Sequence, residues 1–246
     1  MKEVLVIIPS YNEELNIAGV LDGLLQYKEE VDILVVDDGS SDHTASIVRD
    51  YPVFLVSHPC NLGYGASLQT GYRFAQQYGY RYVIQFDADG QHDPFYIREM
   101  MDRLFAEDAD IVMGSRYMDS SVYSAGKLKG CAVHFFRSLI YLLTKVWVTD
   151  PTSGFRGIKR PVFQYYAGSG RFPADYPDAD MLLHMIFRNY KIREFSVSMH
   201  ERRAGASMHG GIKPLFYMAK MMLSIFVVLV RSWISGEKEF ERGVES

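Results

Sequence analysis

The chain is poor in cysteine and lacks any concentration of positive charge. Its 246 residues include only two cysteines, Cys60 and Cys131, which match no metal-ligand or redox spacing, so unpaired thiols in a reducing compartment are expected. Lysine and arginine number 26 against 30 acidic residues, a formal net charge of −4, and no long basic run occurs. A general nucleic-acid surface therefore has no electrostatic support. A P-loop is absent, because G-x-x-x-x-G-K-[ST] occurs nowhere. The glycines of Asn61-Leu62-Gly63-Tyr64-Gly65-Ala66 are not a dinucleotide fingerprint: the third glycine is missing, the loop is not the first βα turn, and no acid follows at the required distance. They are read instead as a tight backbone turn into a helix. Met1-Lys2-Glu3 passes directly into Val4–Ile8, too short for a signal core, so no secretory signal is expected. Neither an internal repeat nor a low-complexity linker is present.

What the chain does have is apolar content, 48%, enough for one substantial core. Strand-like and helix-like segments alternate. Strands are expected at Val4–Pro9, Ile33–Val36, Val53–Val56, Tyr82–Phe86, Asp110–Met113 and Phe195–Met199. Helices are expected near Glu14–Tyr27, Thr44–Tyr51, Ala66–Tyr78, Pro94–Phe105, Ala132–Trp147 and Asp180–Tyr190. This is the signature of right-handed βαβ units, an α/β fold with a mainly parallel central sheet flanked by helices. The stretch from Asp150 to about His200 reads as less regular.

Polar residues collect after the strands, as in a ligand crevice at the carboxyl edge of an open sheet. Tyr82–Phe86 ends in Asp87 and Asp89, one residue apart, followed by Gly90 and Gln91. Oxygen ligands at that density suit a hard cation, Mg²⁺ or Mn²⁺, holding a diphosphate. A D-x-D by itself is more often a solvated turn, so the setting must decide. Pro9-Ser10-Tyr11-Asn12-Glu13-Glu14 and Asp37-Asp38-Gly39-Ser40-Ser41-Asp42 follow the first two strands. Ser10, Asn12 or Asp42 could simply cap a helix. Capping does not account for the adjacent acids Asp37 and Asp38, whose mutual repulsion needs a donor or a cation, such as a base or a ribose would offer.

The set IIPSYNEE (7–14), VVDDGSSDHT (35–44), NLGYGASLQTGY (61–72), FDADGQHDP (86–94), GSRY (114–117) and DPTSGFRG (150–157), in that order, resembles family 2 glycosyltransferases of the GT-A fold. More narrowly, it resembles the polyprenyl-phosphate hexosyltransferases, the group that includes dolichol-phosphate mannosyltransferase. The resemblance implies that Pro9, Tyr11, Glu13 and Asp38 line a nucleoside pocket, with Tyr11 stacking on the base. It implies that Asp87, Ala88, Asp89 and Gln91 form the metal and diphosphate site, with Asp87, Asp89 and Gln91 as ligands. Arg116 would stand near the reacting phosphate, and Ser153, Gly154 and Arg156 on the sugar and acceptor side. Read from its position alone, Arg116 is as well explained as a salt-bridge partner. Asp178 and Asp180 occupy the place of the catalytic base, with the choice between them open, and Arg202 and Arg203 fit an R-x-x-G-x-S arrangement on a basic loop. The donor implied is a UDP- or GDP-linked hexose or N-acetylhexosamine.

No covalent nucleophile is needed for inverting transfer, in which Asp89 and Arg116 would help carry charge developing on the leaving diphosphate. A hydroxyl acceptor requires a base, but a phosphate monoester, with a second pKa of roughly 6, is already anionic and calls for cations. His200, Arg202, Arg203, His209 and Lys213 would supply them. Beyond a catalytic domain at 1–212, the run Leu215–Val230 is apolar except for Lys220 and Ser224 and falls short of the roughly 20 residues that span a bilayer. A helix over 213–235 is therefore expected either in the membrane interface, with Arg231 and Trp233 at the headgroups, or against a partner subunit in a homo-oligomer. A charged tail, 236–246, follows. The leading expectation is a peripheral enzyme at the cytoplasmic face of the membrane with a polyprenyl phosphate acceptor. A same-fold transferase extending a saccharide hydroxyl and a non-catalytic sugar-nucleotide-binding subunit are the alternatives.

Overall fold

A computed structural model describes residues 2–106, 108–118, 127–168, 178–200 and 213–234. Arg202, Arg203, His209 and the tail 236–246 lie outside the described residues. Seven strands form one sheet: β1 (Val4–Ser10), β2 (Val31–Asp37), β3 (Phe54–Ser57), β4 (Tyr82–Gln85), β5 (Ile111–Ser115), β6 (Arg156–Lys159) and β7 (Ile192–Ser196), in the order β3-β2-β1-β4-β6-β5-β7. All pairings are parallel except those that β6 makes with β4 and β5. The helices are α1 (Ile17–Leu24), α2 (Thr44–Arg49), α3 (Tyr64–Gln77), α4 (Tyr96–Ala106), α5 (Lys127–Thr144), α6 (Arg160–Ala167), α7 (Ala179–Phe187) and α8 (Lys213–Ile234).

Alternation along the interior strand β1 divides the core in two. Leu5 and Ile7 face a cluster with Leu68 and Tyr72 of α3, Phe136 of α5, Phe163 of α6 and Leu182 of α7. Val4, Val6 and Ile8 face the opposite cluster with Leu21 of α1 and Ile97, Met100 and Leu104 of α4. A strand covered on both faces reads as a continuous apolar run, as β1 does.

Several boundaries depart from expectation. α1 starts at Ile17 rather than near Glu14, and ahead of it the N–H groups of Glu13 and Glu14 bond to Thr44 and Asp42 across the neighbouring loop. α5 stops at Thr144, where the Thr144 hydroxyl bonds back to Ile140 O at 2.7 Å and Lys145 adopts a φ of 62°. β7 lies three residues earlier than expected, in register with β5, while the chain beyond it pairs Met199 with His92. The irregular stretch after Asp150 holds β6 and α6, which were not expected. α8 extends the predicted apolar segment and packs on α7, with Met221 and Ile225 in the shared core. Among the described residues no helix is long and apolar enough to cross a membrane.

Candidate active site

The parallel register sets Ser10 opposite Asp37, so the loops after β1 and β2 leave the sheet side by side. They are laced together. Asn12 N–H donates to Ser40 Oγ at 3.0 Å, Ser41 N–H donates to Asn12 Oδ1 at 2.9 Å, and His43 N–H donates to Glu14 Oε2 at 3.0 Å. Asp42 accepts the Thr44 N–H at 2.9 Å and the Glu14 N–H at 3.1 Å, so it joins the two loops at the entry to α2. Glu13 turns its carboxylate to Asn16 Nδ2 at 2.7 Å. Pro9 is buried in β1, and Tyr11 stands exposed at the mouth. Ser10 Oγ is buried with no hydrogen-bond partner among the described residues.

The adjacent acids are compensated by the chain itself. Asp37 Oδ1 accepts Ser40 N–H at 3.2 Å. Asp38 is buried, and its Oδ1 takes His58 Nδ1 at 2.7 Å and Leu62 N–H at 2.9 Å, while Oδ2 takes Gly63 N–H at 2.8 Å. His58 is held in turn by Thr70 Oγ1 at 2.9 Å. Asp38 thus holds the 61–63 loop through donors that the chain itself supplies. Gly63 adopts a φ of 101°, the turn into α3 that the glycines suggested.

That turn delivers Tyr64, whose hydroxyl donates to Asp87 Oδ1 at 2.9 Å, and His92 Nε2 meets Asp87 Oδ2 at 2.9 Å. Burial raises the Asp87 pKa, but the His92 and Tyr64 hydrogen bonds and the Arg116 charge outweigh it and hold the carboxyl below the usual range. Asp89 Oδ1 accepts Gln91 N–H at 3.0 Å in its own turn, and Gln91 Nε2 reaches His200 O at 3.4 Å. Asp87, Asp89 and Gln91 are all half-buried, as is Gly90, whereas Ala88 is buried. Among the described residues no group of three or more His, Cys, Asp or Glu is arranged to hold a metal. Two carboxylates at a crevice still fit Mg²⁺ or Mn²⁺, which commonly take one or two protein carboxylates and complete their shell with substrate phosphates and water.

Opposite lies the DPTSGFRG segment. Arg116 makes a forked ion pair with the fully buried Asp150, Nε to Oδ2 at 2.6 Å and Nη2 to Oδ1 at 2.8 Å, and also donates to Thr152 Oγ1 at 2.9 Å. Burial raises the Asp150 pKa, and Arg116 outweighs it, leaving the acid below its usual range. Glu194 of β7 anchors this loop by accepting Thr149 N–H at 2.7 Å and Asp150 N–H at 2.9 Å. Ser153 is buried, its hydroxyl donating to Gly114 O at 2.6 Å, so it joins the loop to β5. Gly154 lies against Asp87: a Cβ there would sit 2.7 Å from Oδ2. Arg156 is buried, donating to Pro151 O at 3.3 Å and standing 3.8 Å from Asp178 Oδ1.

The two candidate bases separate. Asp178 precedes α7, is partly exposed, and lies near enough to Tyr64 for its charge to raise the phenol pKa, alongside burial and Asp87. Asp180 is fully buried, accepting Ser224 Oγ from α8 and Met181 N–H at 2.8 Å, and burial raises its pKa. It faces the core between α7 and α8. Tyr64, His58, His92, Asp150 and Glu194 were not singled out from sequence. All but His58 and Glu194 fall inside the quoted motifs, so their positions in NLGYG, QHDP and DPTSG were the available signal.

Residues 5–166 match the family model described as Glycosyl transferase family 2. The chain is 30% identical over 177 residues to the UDP-N-acetylglucosamine–dolichyl-phosphate N-acetylglucosaminyltransferase of Methanococcus voltae, covering 65% of this chain and 70% of that protein. It is 28% identical over 222 residues to the polyprenol monophosphomannose synthase of Mycolicibacterium smegmatis, covering 85% and 82%. Among solved structures, glucosyl-3-phosphoglycerate synthase from Mycobacterium tuberculosis in complex with Mn²⁺ and UDP-glucose has the same fold, with a TM-score of 0.71 at 20% identity over 92% of this chain and 79% of that one. The family match runs from β1 to α6 and takes in the laced loops, the Asp87–Gln91 turn and the DPTSGFRG segment: the chain belongs to glycosyl transferase family 2 and is a glycosyltransferase.

Proposed function

We propose that this glycosyltransferase moves a hexose or N-acetylhexosamine, with inversion, from a nucleoside-diphosphate sugar to a polyprenyl phosphate. The names of its relatives support that acceptor class. The observation that carries it lies on the surface. The stretches 120–149 and 202–236 contain no Asp or Glu. Within them α5 exposes Phe135, Tyr141 and Leu142, and Trp147 follows it, while α8 exposes Leu223, Phe226 and Val227. Apolar faces set among lysines and arginines suit an anionic lipid surface, where the acceptor resides. Peripheral attachment at the cytoplasmic face of a membrane follows from this reading.

On the donor side, Tyr11 offers a ring for the base, next to Asn12, which is bonded to the 37–42 loop. Asp87, Asp89 and Gln91 would hold Mg²⁺ or Mn²⁺, which when bound neutralises charge on the leaving diphosphate. Arg116, oriented by Asp150, adds fixed positive charge near Asp87. Asp178, partly exposed, stands near Tyr64 with the buried Arg156 behind it. With an acceptor phosphate already ionised, the carboxylate would orient rather than deprotonate. Residues 1–212 would act as the catalytic unit and 213–235 as the lipid-facing helix, with Arg202 and Arg203 available to the acceptor phosphate.

The test supplies the full chain with UDP- and GDP-sugars and either undecaprenyl phosphate or a saccharide, and follows release of nucleoside diphosphate. Release that requires the lipid phosphate is expected. Turnover with the saccharide and none with the lipid would replace this acceptor with a hydroxyl.

A further inference from the structure

Asp87 is held from three sides, and none of the three holders is itself a candidate ligand. Tyr64, in the first turn of α3, donates to Oδ1 at 2.9 Å. His92 stands 2.9 Å from Oδ2. A carboxylate only accepts, so Nε2 carries the proton of this contact. The imidazole is buried and packs against two rings, its centroid 5.3 Å from those of both Phe86 and Phe155. Gly154 closes the third side, where any Cβ would press on the carboxylate. Asp89 differs, since the bond to Gln91 N–H is made within its own turn.

We propose that Tyr64 and His92 are positioning residues that fix the Asp87 carboxylate in the orientation a metal-bound diphosphate requires. This rests on the metal-dependent reading above. Each carboxylate oxygen accepts one hydrogen bond from the pair and keeps lone-pair capacity for a cation or its water. The two donors come from separate segments, α3 and the turn after β4. The Tyr64 end is tied through Leu62 and Gly63 to Asp38, so the acid on the donor side and the acid on the metal side share one scaffold. Groups that orient a metal ligand from behind typically change metal affinity or activity by about 10- to 100-fold when removed.

The experiment measures Mn²⁺ affinity of the full chain by electron paramagnetic resonance of the free ion, with UDP present, alongside thermal unfolding. Tyr64→Phe, which removes only the hydroxyl, and His92→Leu are each expected to weaken Mn²⁺ binding by about tenfold while the protein stays folded. His92→Gln, which offers an N–H at a similar reach, is expected to restore most of it. Mn²⁺ binding in Tyr64→Phe and His92→Leu equal to that of the unaltered chain overturns the inference and leaves the metal reading standing. An unaltered chain that binds no Mn²⁺ and transfers sugar in the presence of a chelator overturns the metal reading, and this inference with it.

Discussion

The tripeptide Asp-Ala-Asp occurs three times, at 87–89, 108–110 and 178–180, and the fold treats two of the copies, 87–89 and 178–180, differently. The first follows β4, at the carboxyl edge of the sheet, and both acids remain half-buried at the crevice. The other begins α7. Successive residues at a helix start point in different directions, so Asp178 stays at the crevice near Arg156, while Asp180 turns inward to Ser224. Their titration separates as well. Hydrogen bonds and Arg116 depress Asp87 despite its burial, whereas burial dominates at Asp180 and raises it. The same three letters serve as a candidate ligand pair in one place and, in the other, as one crevice acid and one acid that docks a helix.

The contrast can be broken most severely at the first copy. Asp89→Ala is expected to lower the transfer rate by at least about 100-fold, beyond the loss typical of a group that only orients a ligand, as measured by release of nucleoside diphosphate at saturating Mn²⁺. Gly154→Ala comes next. Its new Cβ would sit 2.7 Å from Asp87 Oδ2 and 3.2 Å from Oδ1, and Tyr64 and His92 leave the carboxylate little room to yield. A loss of about tenfold in Mn²⁺-dependent turnover is expected. Asp178→Asn should cost less than about tenfold with a polyprenyl phosphate acceptor, because no proton need be removed. A loss of roughly 100-fold or more would mark Asp178 as a general base and a hydroxyl as the acceptor.

The smallest effects belong to Asp180 and should leave chemistry nearly untouched. Ser224→Ala removes one hydrogen bond between α8 and α7 and is expected to cost about 1 kcal/mol in denaturant unfolding. For the acid itself, a folded pKa above the unfolded value means that its protonated form favours folding. That contribution is full below roughly pH 4 and is lost as pH rises through the raised value. Asp180→Asn should abolish that part of the pH dependence, so that unfolding curves of the variant and the original chain diverge on going from acid to neutral pH. Parallel curves would show that Asp180 titrates alike in both states.

Much of the donor half was legible because its information is local. β1 and β2 are buried on both faces and read as continuous apolar runs, and the polar clusters after them sit where parallel strands deliver ligands. Asp87, Asp89 and Gln91 lie within five residues of one another. The other half depends on contacts between distant segments. β6 is four residues, Arg-Gly-Ile-Lys, with no apolar alternation to betray a strand, and it pairs because β4 and β5 leave a gap for it. Arg116 could be read as a phosphate ligand or as an ion-pair partner, and only the loop anchored by Glu194 brings Asp150 to it.

The sequence alone determined the α/β class, the family and the carboxylates that end β4, because periodicity and motif spacing are properties of neighbouring residues. Tertiary structure decided which donors satisfy Asp38, which of Asp178 and Asp180 meets the crevice, and that Tyr64, His92 and Gly154 enclose Asp87. Those outcomes depend on the direction of a side chain and on what the packed sheet and helices bring against it. One-dimensional spacing does not encode either.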